Sequence, residues 1–160
     1  MNKKRHVLAI LVENYSGTLS KVAGLFTRRG YNIDSLNVAE TMDPKTSRIT
    51  VTVTGDEKIL EQITKQLNKL INVIKITDLT SKKSIQRELM FIKISSTVTN
   101  RNEIIQMTNI FKGKTVDIST KSITVELTGD EEKNNAFISL VKPFGIIELI
   151  RTGLTAVERG

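Results

Sequence analysis

Apolar positions come first as an unbroken run, Val7 to Val12, and then in two alternating rhythms. The run is far short of the roughly 20 residues that a membrane helix needs and suits a strand. A loop from Glu13 to Gly17 follows. Leu19, Val22, Ala23 and Phe26 then recur at helical spacing, and Gly30 is placed to end that helix. Ile33 to Ala39 reads as the next strand, and Met42 to Ser47 as the turn out of it. Ile49-Thr50-Val51-Thr52-Val53-Thr54 alternates apolar with polar residues, the mark of a strand with one buried face. Ile59, Leu60, Ile63, Leu67, Leu70 and Ile71 predict a second helix, and Val73 to Leu79 a fourth strand.

The pattern then returns. Ile49 to Glu57 is echoed by Ile123-Thr124-Val125-Glu126-Leu127-Thr128-Gly129-Asp130-Glu131, 74 residues later. Both copies end in Gly-Asp-Glu, which turns the chain and puts acids where a helix dipole favours them. Ala136, Phe137, Leu140 and Val141 predict the helix behind the second copy, which Pro143 stops. Leu89 to Ser95, a helix around Ile104, Ile105 and Ile110, strands near Thr115 to Ile118 and Ile123 to Leu127, and a strand from Ile146 to Ile150 complete the second half. The expected class is α+β: two ferredoxin-like βαββαβ units, each an antiparallel sheet with helices on one face. The expected division is 1–79, a polar linker 80–86, and 87–160.

Such small units bury only about 60% of their chain surface and are marginal alone. The strand Ile33 to Ala39 should lie at a sheet edge, and it carries one charge with neither lysine nor proline. It is expected to pair with the same strand of a second copy.

Composition narrows the chemistry. The absence of cysteine excludes disulfides, thiolate metal sites and cysteine nucleophiles. The one histidine, His6, has no histidine or cysteine partner for a metal and is expected at an edge. Hydrolytic or metal-assisted catalysis has little raw material here, so no catalytic residue and no metal site is expected. The net charge of +7 is spread, its densest clusters being Lys3-Lys4-Arg5 and Lys82-Lys83, as on a solvated surface. An RNA-binding module of the same strand order would need stacking aromatics on its central strands. Arg48 to Thr54 has none and aromatics are 4% overall, so no nucleic-acid partner is expected. The basic start is followed by an apolar stretch that ends at Glu13 without a small-residue cleavage site. A cytoplasmic protein that keeps its N-terminus, with no membrane partner, is expected.

Two segments invite a ligand. Glu13-Asn14-Tyr15-Ser16-Gly17-Thr18 joins a strand to a helix N-terminus, where free N–H groups suit a carboxylate. Gly17 permits close approach to the backbone, and the Asn14 amide both donates and accepts. The simpler reading of the spacing is that Ser16 caps the helix and Asn14 makes a turn. Gly30-Tyr31-Asn32 lies at the helix's far end. If the edge pairs about a twofold axis, Asn32 of one copy would face the Asn14–Thr18 loop of the other.

Val12-Glu13-Asn14-Tyr15-Ser16-Gly17-Thr18-Leu19-Ser20-Lys21-Val22 strongly resembles the opening of ACT domains, which bind amino acids. Leu25-Phe26-Thr27-Arg28-Arg29-Gly30-Tyr31-Asn32-Ile33, Asp43-Pro44, Ser47-Arg48, Arg87-Glu88-Leu89 and Arg151-Thr152-Gly153 resemble the acetolactate synthase small-subunit family. The resemblance implies an ACT domain over 1–79, a second ferredoxin-like domain, and a homodimer that binds large catalytic subunits. It implies that the large subunit carries thiamine diphosphate, FAD and magnesium, and that this chain carries none. It implies a non-catalytic regulator that activates the large subunit and confers feedback inhibition by valine in branched-chain amino-acid synthesis. Family valine sites map to Asn14, Gly17 and Asn32, with Ser16, Thr18 and Ile33 beside them. Many relatives have proline where this chain has Ser16, which leaves ligand preference open. The alternative is an ACT-domain regulator of another enzyme or of transcription; no helix-turn-helix segment is visible.

Overall fold

The computed structural model describes residues 4–80 and 83–160. Lys3, and Ser81 and Lys82 of the expected linker, lie outside the described residues. The chain packs as two units, one holding residues up to Ile85 together with Gly153–Gly160, the other Gln86–Thr152.

The first unit runs β1 (Lys4–Glu13), α1 (Thr18–Arg28), β2 (Asn32–Glu40), β3 (Thr46–Gly55), α2 (Glu57–Asn68), β4 (Val73–Asp78). Its antiparallel sheet has the order β2-β3-β1-β4, so β2 is at an edge as expected. Helix α1 closes with a Schellman motif: Gly30 sits at φ 75°, and the Tyr31 N–H donates to the Phe26 carbonyl at 3.0 Å. Helix α2 is capped by Asp56, whose carboxylate accepts from the Lys58 N–H at 2.9 Å. Leu8, Ile10 and Val12 of β1 and Ile49, Val51 and Val53 of β3 meet Val22 and Phe26 of α1 and Leu60, Ile63 and Leu67 of α2 in one core.

Both faces of β1 are covered. Its even positions face the helices, while Val7 and Ala9 pack on the other side with Leu79, Leu154 and Ala156. The unbroken apolar run is the sequence trace of that double burial.

The second unit runs β5 (Ser84–Ser95), α3 (Arg101–Ile110), β6 (Lys114–Ile118), β7 (Ser122–Gly129), α4 (Glu131–Val141), a 3-10 turn (Lys142–Phe144) and β8 (Ile146–Arg151). The sheet order β6-β7-β5-β8 repeats that of the first unit. Met90, Ile92, Ile94, Ile104, Ile123, Val125, Leu127, Phe137 and Val141 form the second core, with the Phe111 ring edge-on to Phe137 at 5.2 Å.

The α+β class and both βαββαβ orders match the sequence reading, but several expected details move. Ser84 to Gln86 of the polar linker are already in β5, because backbone pairing does not need apolar side chains. Residues 153–160, expected with the second unit, pack with the first. His6 is not at an edge: it sits buried on central β1, its Nε2 3.3 Å from the Gly55 carbonyl. Helix α2 ends at Asn68, so Ile71 lies beyond it and is 91% exposed. Leu19, Ile110, Ala136 and Leu140 are also exposed; Thr18, Thr108 and Asn134 take inward helix positions instead. Small polar residues can be buried where the helix backbone supplies a partner, as Ile104 does by accepting from the Thr108 hydroxyl at 2.8 Å.

Candidate effector site

Tyr15-Ser16-Gly17-Thr18 forms a turn, closed by the Thr18 N–H donating to the Tyr15 carbonyl at 3.3 Å. Gly17 has φ 86° and ψ −9°, and among the described residues Lys112 is the one non-glycine with positive φ. Ser16 therefore has negative φ and the turn is type II, which demands glycine at its third place and favours proline at its second. Ser16 occupies that second place. The expected capping role for Ser16 does not hold: no side chain caps α1, and Gly17 is its N-cap.

The first intrahelical bond runs from the Lys21 N–H to the Gly17 carbonyl at 3.1 Å. The amides of Leu19 and Ser20 precede it in the first turn and are the helix donors open to an anion, whereas the Thr18 amide is committed to the turn. Thr18 is buried and accepts from the Asn72 amide at 3.4 Å. It lines a cleft with Lys21, Lys69, Leu70, Ile71, Asn72 and Val73, so two cations and three aliphatic side chains stand beside the open helix end.

Asn14 reaches away from the helix. Its backbone N–H donates to the Lys45 carbonyl at 2.8 Å, and its Nδ2 donates to the Pro44 carbonyl at 3.1 Å and to Glu40 Oε1 at 3.4 Å. The residue thereby ties the loop to the β2–β3 turn and leaves its amide oxygen as an acceptor.

Asn32 and Ile33 stand elsewhere. The 11 residues of α1 separate Asn14 from Asn32, a helix length of roughly 16 Å. Asn32 is exposed at the start of β2, while Ile33 packs part-buried against the core and offers an external ligand little side chain. One chain thus brings Asn14, Ser16, Gly17 and Thr18 together but not Asn32 and Ile33.

Tyr31, immediately before Asn32, has no site role in the sequence pattern. Its hydroxyl donates to the Asp56 carbonyl, and its ring lies where a Cβ on Gly55 would fall. Burial raises its phenol pKa above 10.0; the Asp56 charge adds to the rise and a backbone hydrogen bond from Leu60 opposes it. The Gly55 in the repeated Gly-Asp-Glu was the available signal, since a buried glycine at a strand end often marks close approach.

In the second unit Arg151 donates to both oxygens of buried Glu88, at 3.0 and 2.8 Å, and the Asn134 amide donates to the Glu88 carbonyl at 3.1 Å. Two segments that carried the resemblance, 87–89 and 151–153, therefore meet. Among the described residues no three His, Cys, Asp or Glu side chains converge as a metal site would require, and no helix is long and apolar enough to cross a membrane.

Comparison with known proteins decides the family. Residues 8–75 match the AHAS small subunit-like ACT domain, and residues 87–160 match the small subunit of acetolactate synthase. The chain belongs to the acetolactate synthase small-subunit family. It is 51% identical to the probable acetolactate synthase small subunit of Methanothermobacter thermautotrophicus, over 100% of this chain and 96% of that one. It is 49% identical to the corresponding protein of Archaeoglobus fulgidus, over 98% of each. The crystal structure of the small subunit from Thermotoga maritima superposes with a TM-score of 0.89 at 39% identity, covering 98% of each chain. A small subunit of acetolactate synthase implies a large catalytic subunit as its partner.

Proposed function

We propose that this chain is the non-catalytic regulatory subunit of a cytoplasmic acetolactate synthase, which activates the large subunit and confers feedback inhibition by valine. Thiamine diphosphate, FAD and magnesium are assigned to the large subunit. The effector site lies between two copies joined along β2.

One observation carries the shared site. Asn14 is bonded to Glu40, the last residue of β2, and Asn32 is the first residue of the same strand. Antiparallel pairing of two β2 strands lays the first residue of one beside the last of the other. That pairing would place Asn32 of the second copy next to the Asn14–Thr18 loop, and would repeat the arrangement about the twofold axis. The valine carboxylate would meet the Leu19 and Ser20 amides, its ammonium the Asn14 and Asn32 amide oxygens, and its isopropyl group the aliphatic part of the cleft. Helix-end electrostatics supply about 0.3–1 kcal/mol, up to ~2 when partly buried. Millimolar affinity needs about 4 kcal/mol, so the side-chain hydrogen bonds and apolar contact must supply the rest.

The test is calorimetry of Asn14→Ala, Gly17→Asp and Asn32→Ala with valine, alongside assay of the large subunit with and without each chain. Each variant is expected to lose valine binding and inhibition while activation persists, since an effector acts only through differential affinity. Wild-type valine affinity in all three would refute the site, and an inert large subunit across a full titration would refute the role.

A further inference from the structure

The effector reading makes no use of residues 153–158, yet they are tied closely to β2. The register of the first unit's sheet lines up three rows on the face away from the helices: Ser35–Thr52–Val7, Asn37–Thr50–Ala9 and Ala39–Arg48–Leu11. Residues 153–158 touch each row. Gly153, at φ +83°, lies so close to Ser35 that a Cβ there would come within 2.5 Å of the serine Cβ. The Asn37 amide spends both hydrogens on this segment, donating to the Gly153 carbonyl at 2.9 Å and the Leu154 carbonyl at 2.8 Å. The Arg48 guanidinium donates to the Ala156 carbonyl. Leu154 and Ala156 are buried on Val7, Ala9 and Leu79. Thr50 and Thr52 beneath are buried as well, so the segment covers a face that would otherwise be wet.

Two of these contacts fall on β2 just past its irregularity between Ile33 and Ser35. Pairing with β3 breaks there, so β2 near Asn32 is held less firmly by its neighbour than the rest of the strand.

We propose that residues 153–158 form a strap that sets the conformation of edge strand β2, and so the affinity of the effector site that begins at Asn32. The proposal rests on the effector reading given above. Seating of the strap and occupation of the site are then linked reciprocally: whatever loosens one weakens the other.

Asn37→Asp is the sharpest probe, because it replaces two donors with a carboxylate facing two carbonyl oxygens at nearly unchanged volume. Gly153→Val is the second, adding a branched side chain where neither space nor φ permits one. In the full-length chain, hydrogen exchange at residues 35–39 and 154–158 and calorimetric valine affinity are measured together, with circular dichroism confirming the fold. Each variant is expected to speed exchange in both segments and weaken valine binding by about fivefold or more. In the wild type, valine is expected to slow exchange in the strap, and Asn14→Ala to abolish that slowing without speeding strap exchange in the absence of valine. A loosened strap with wild-type valine affinity overturns the proposal. So does a strap that exchanges fast in Asn37→Asp while residues 35–39 stay protected. If the wild type binds no valine, the effector reading fails separately; coupled exchange of the two segments still supports the strap, and its absence overturns it.

Discussion

In the first unit the connection from strand to helix, Tyr15–Thr18, is held by backbone bonds around a left-handed glycine, and its serine side chain caps nothing. In the second unit the corresponding connection, Ser96–Asn100, closes on itself through side chains. The Asn100 amide oxygen accepts from the Thr97 N–H at 2.8 Å and from the Ser96 hydroxyl at 3.3 Å, and the Asn100 N–H donates to the Thr97 hydroxyl at 3.4 Å. Both loops occupy the same place in the same fold. Only the first leaves a glycine-lined helix end beside cationic and aliphatic side chains. The sheets differ likewise: β1 is covered on both faces, whereas on β5 and β8 the paired residues Phe91 and Ile150 are both exposed. Repetition of a fold does not repeat a site; what lines the loop and covers the sheet decides.

The repeated glycine gives the largest expected contrast. A Cβ on Gly55 meets the Tyr31 ring, which cannot yield, whereas on Gly129 its nearest neighbour is the flexible Lys133 side chain at 2.5 Å. Chemical denaturation should therefore show Gly55→Ala costing about 3 kcal/mol and Gly129→Ala about 1 kcal/mol. Equal losses would break the contrast.

Removing the cover of the second sheet face should come next. Leu154→Ala empties a buried position and is expected to cost about 2–3 kcal/mol. Ile150→Ala, on an exposed one, should change stability by no more than about 0.5 kcal/mol. The ion pairs follow the same logic. Arg151→Ala removes the two hydrogen bonds that buried Glu88 accepts from the guanidinium and should cost about 2 kcal/mol, the one-third exposure of Arg151 reducing the full buried-pair penalty. Lys4→Ala breaks only the exposed 3.6 Å pair with Glu57, and its melting curve should barely move.

Tyr31→Phe removes the hydroxyl with its hydrogen bonds to the Asp56 carbonyl and the Leu60 backbone at nearly constant shape, and should cost about 1 kcal/mol near neutral pH. Because the folded phenol pKa is raised, the unfolded chain ionises first. Wild-type stability from this group is present below about pH 10 and falls as pH rises above it. The gap between wild type and variant should narrow there in pH-resolved denaturation; a widening gap would contradict the burial argument. Ser16→Pro should give the smallest effect, a gain of about 0.4–1 kcal/mol, because proline presets the second place of the type II turn. Valine affinity should be unchanged, since the Ser16 side chain holds no helix donor.

Much of this was legible in residue order. Period-two alternation in 49–54 and 123–127 fixed two strands, and Gly-Asp-Glu fixed where the next helices begin, because an acid before a helix has one favourable place to be. The candidate site was half legible. Gly17 declared itself because only glycine fits its conformation, but Asn14 and Asn32 looked alike although one braces a hairpin and the other stands exposed at a strand start.

The sequence by itself determined the two βαββαβ units, their main core positions, the edge placement of β2 and the family, all of which rest on local spacing and short motifs. Only the tertiary structure decided that His6 is buried, that Glu88 finds Arg151, that Tyr31 fills the space over Gly55, and that residues 153–158 return to the first unit. Each of these joins residues distant in sequence, and no periodicity records which of many polar or small side chains the folded chain will bring together.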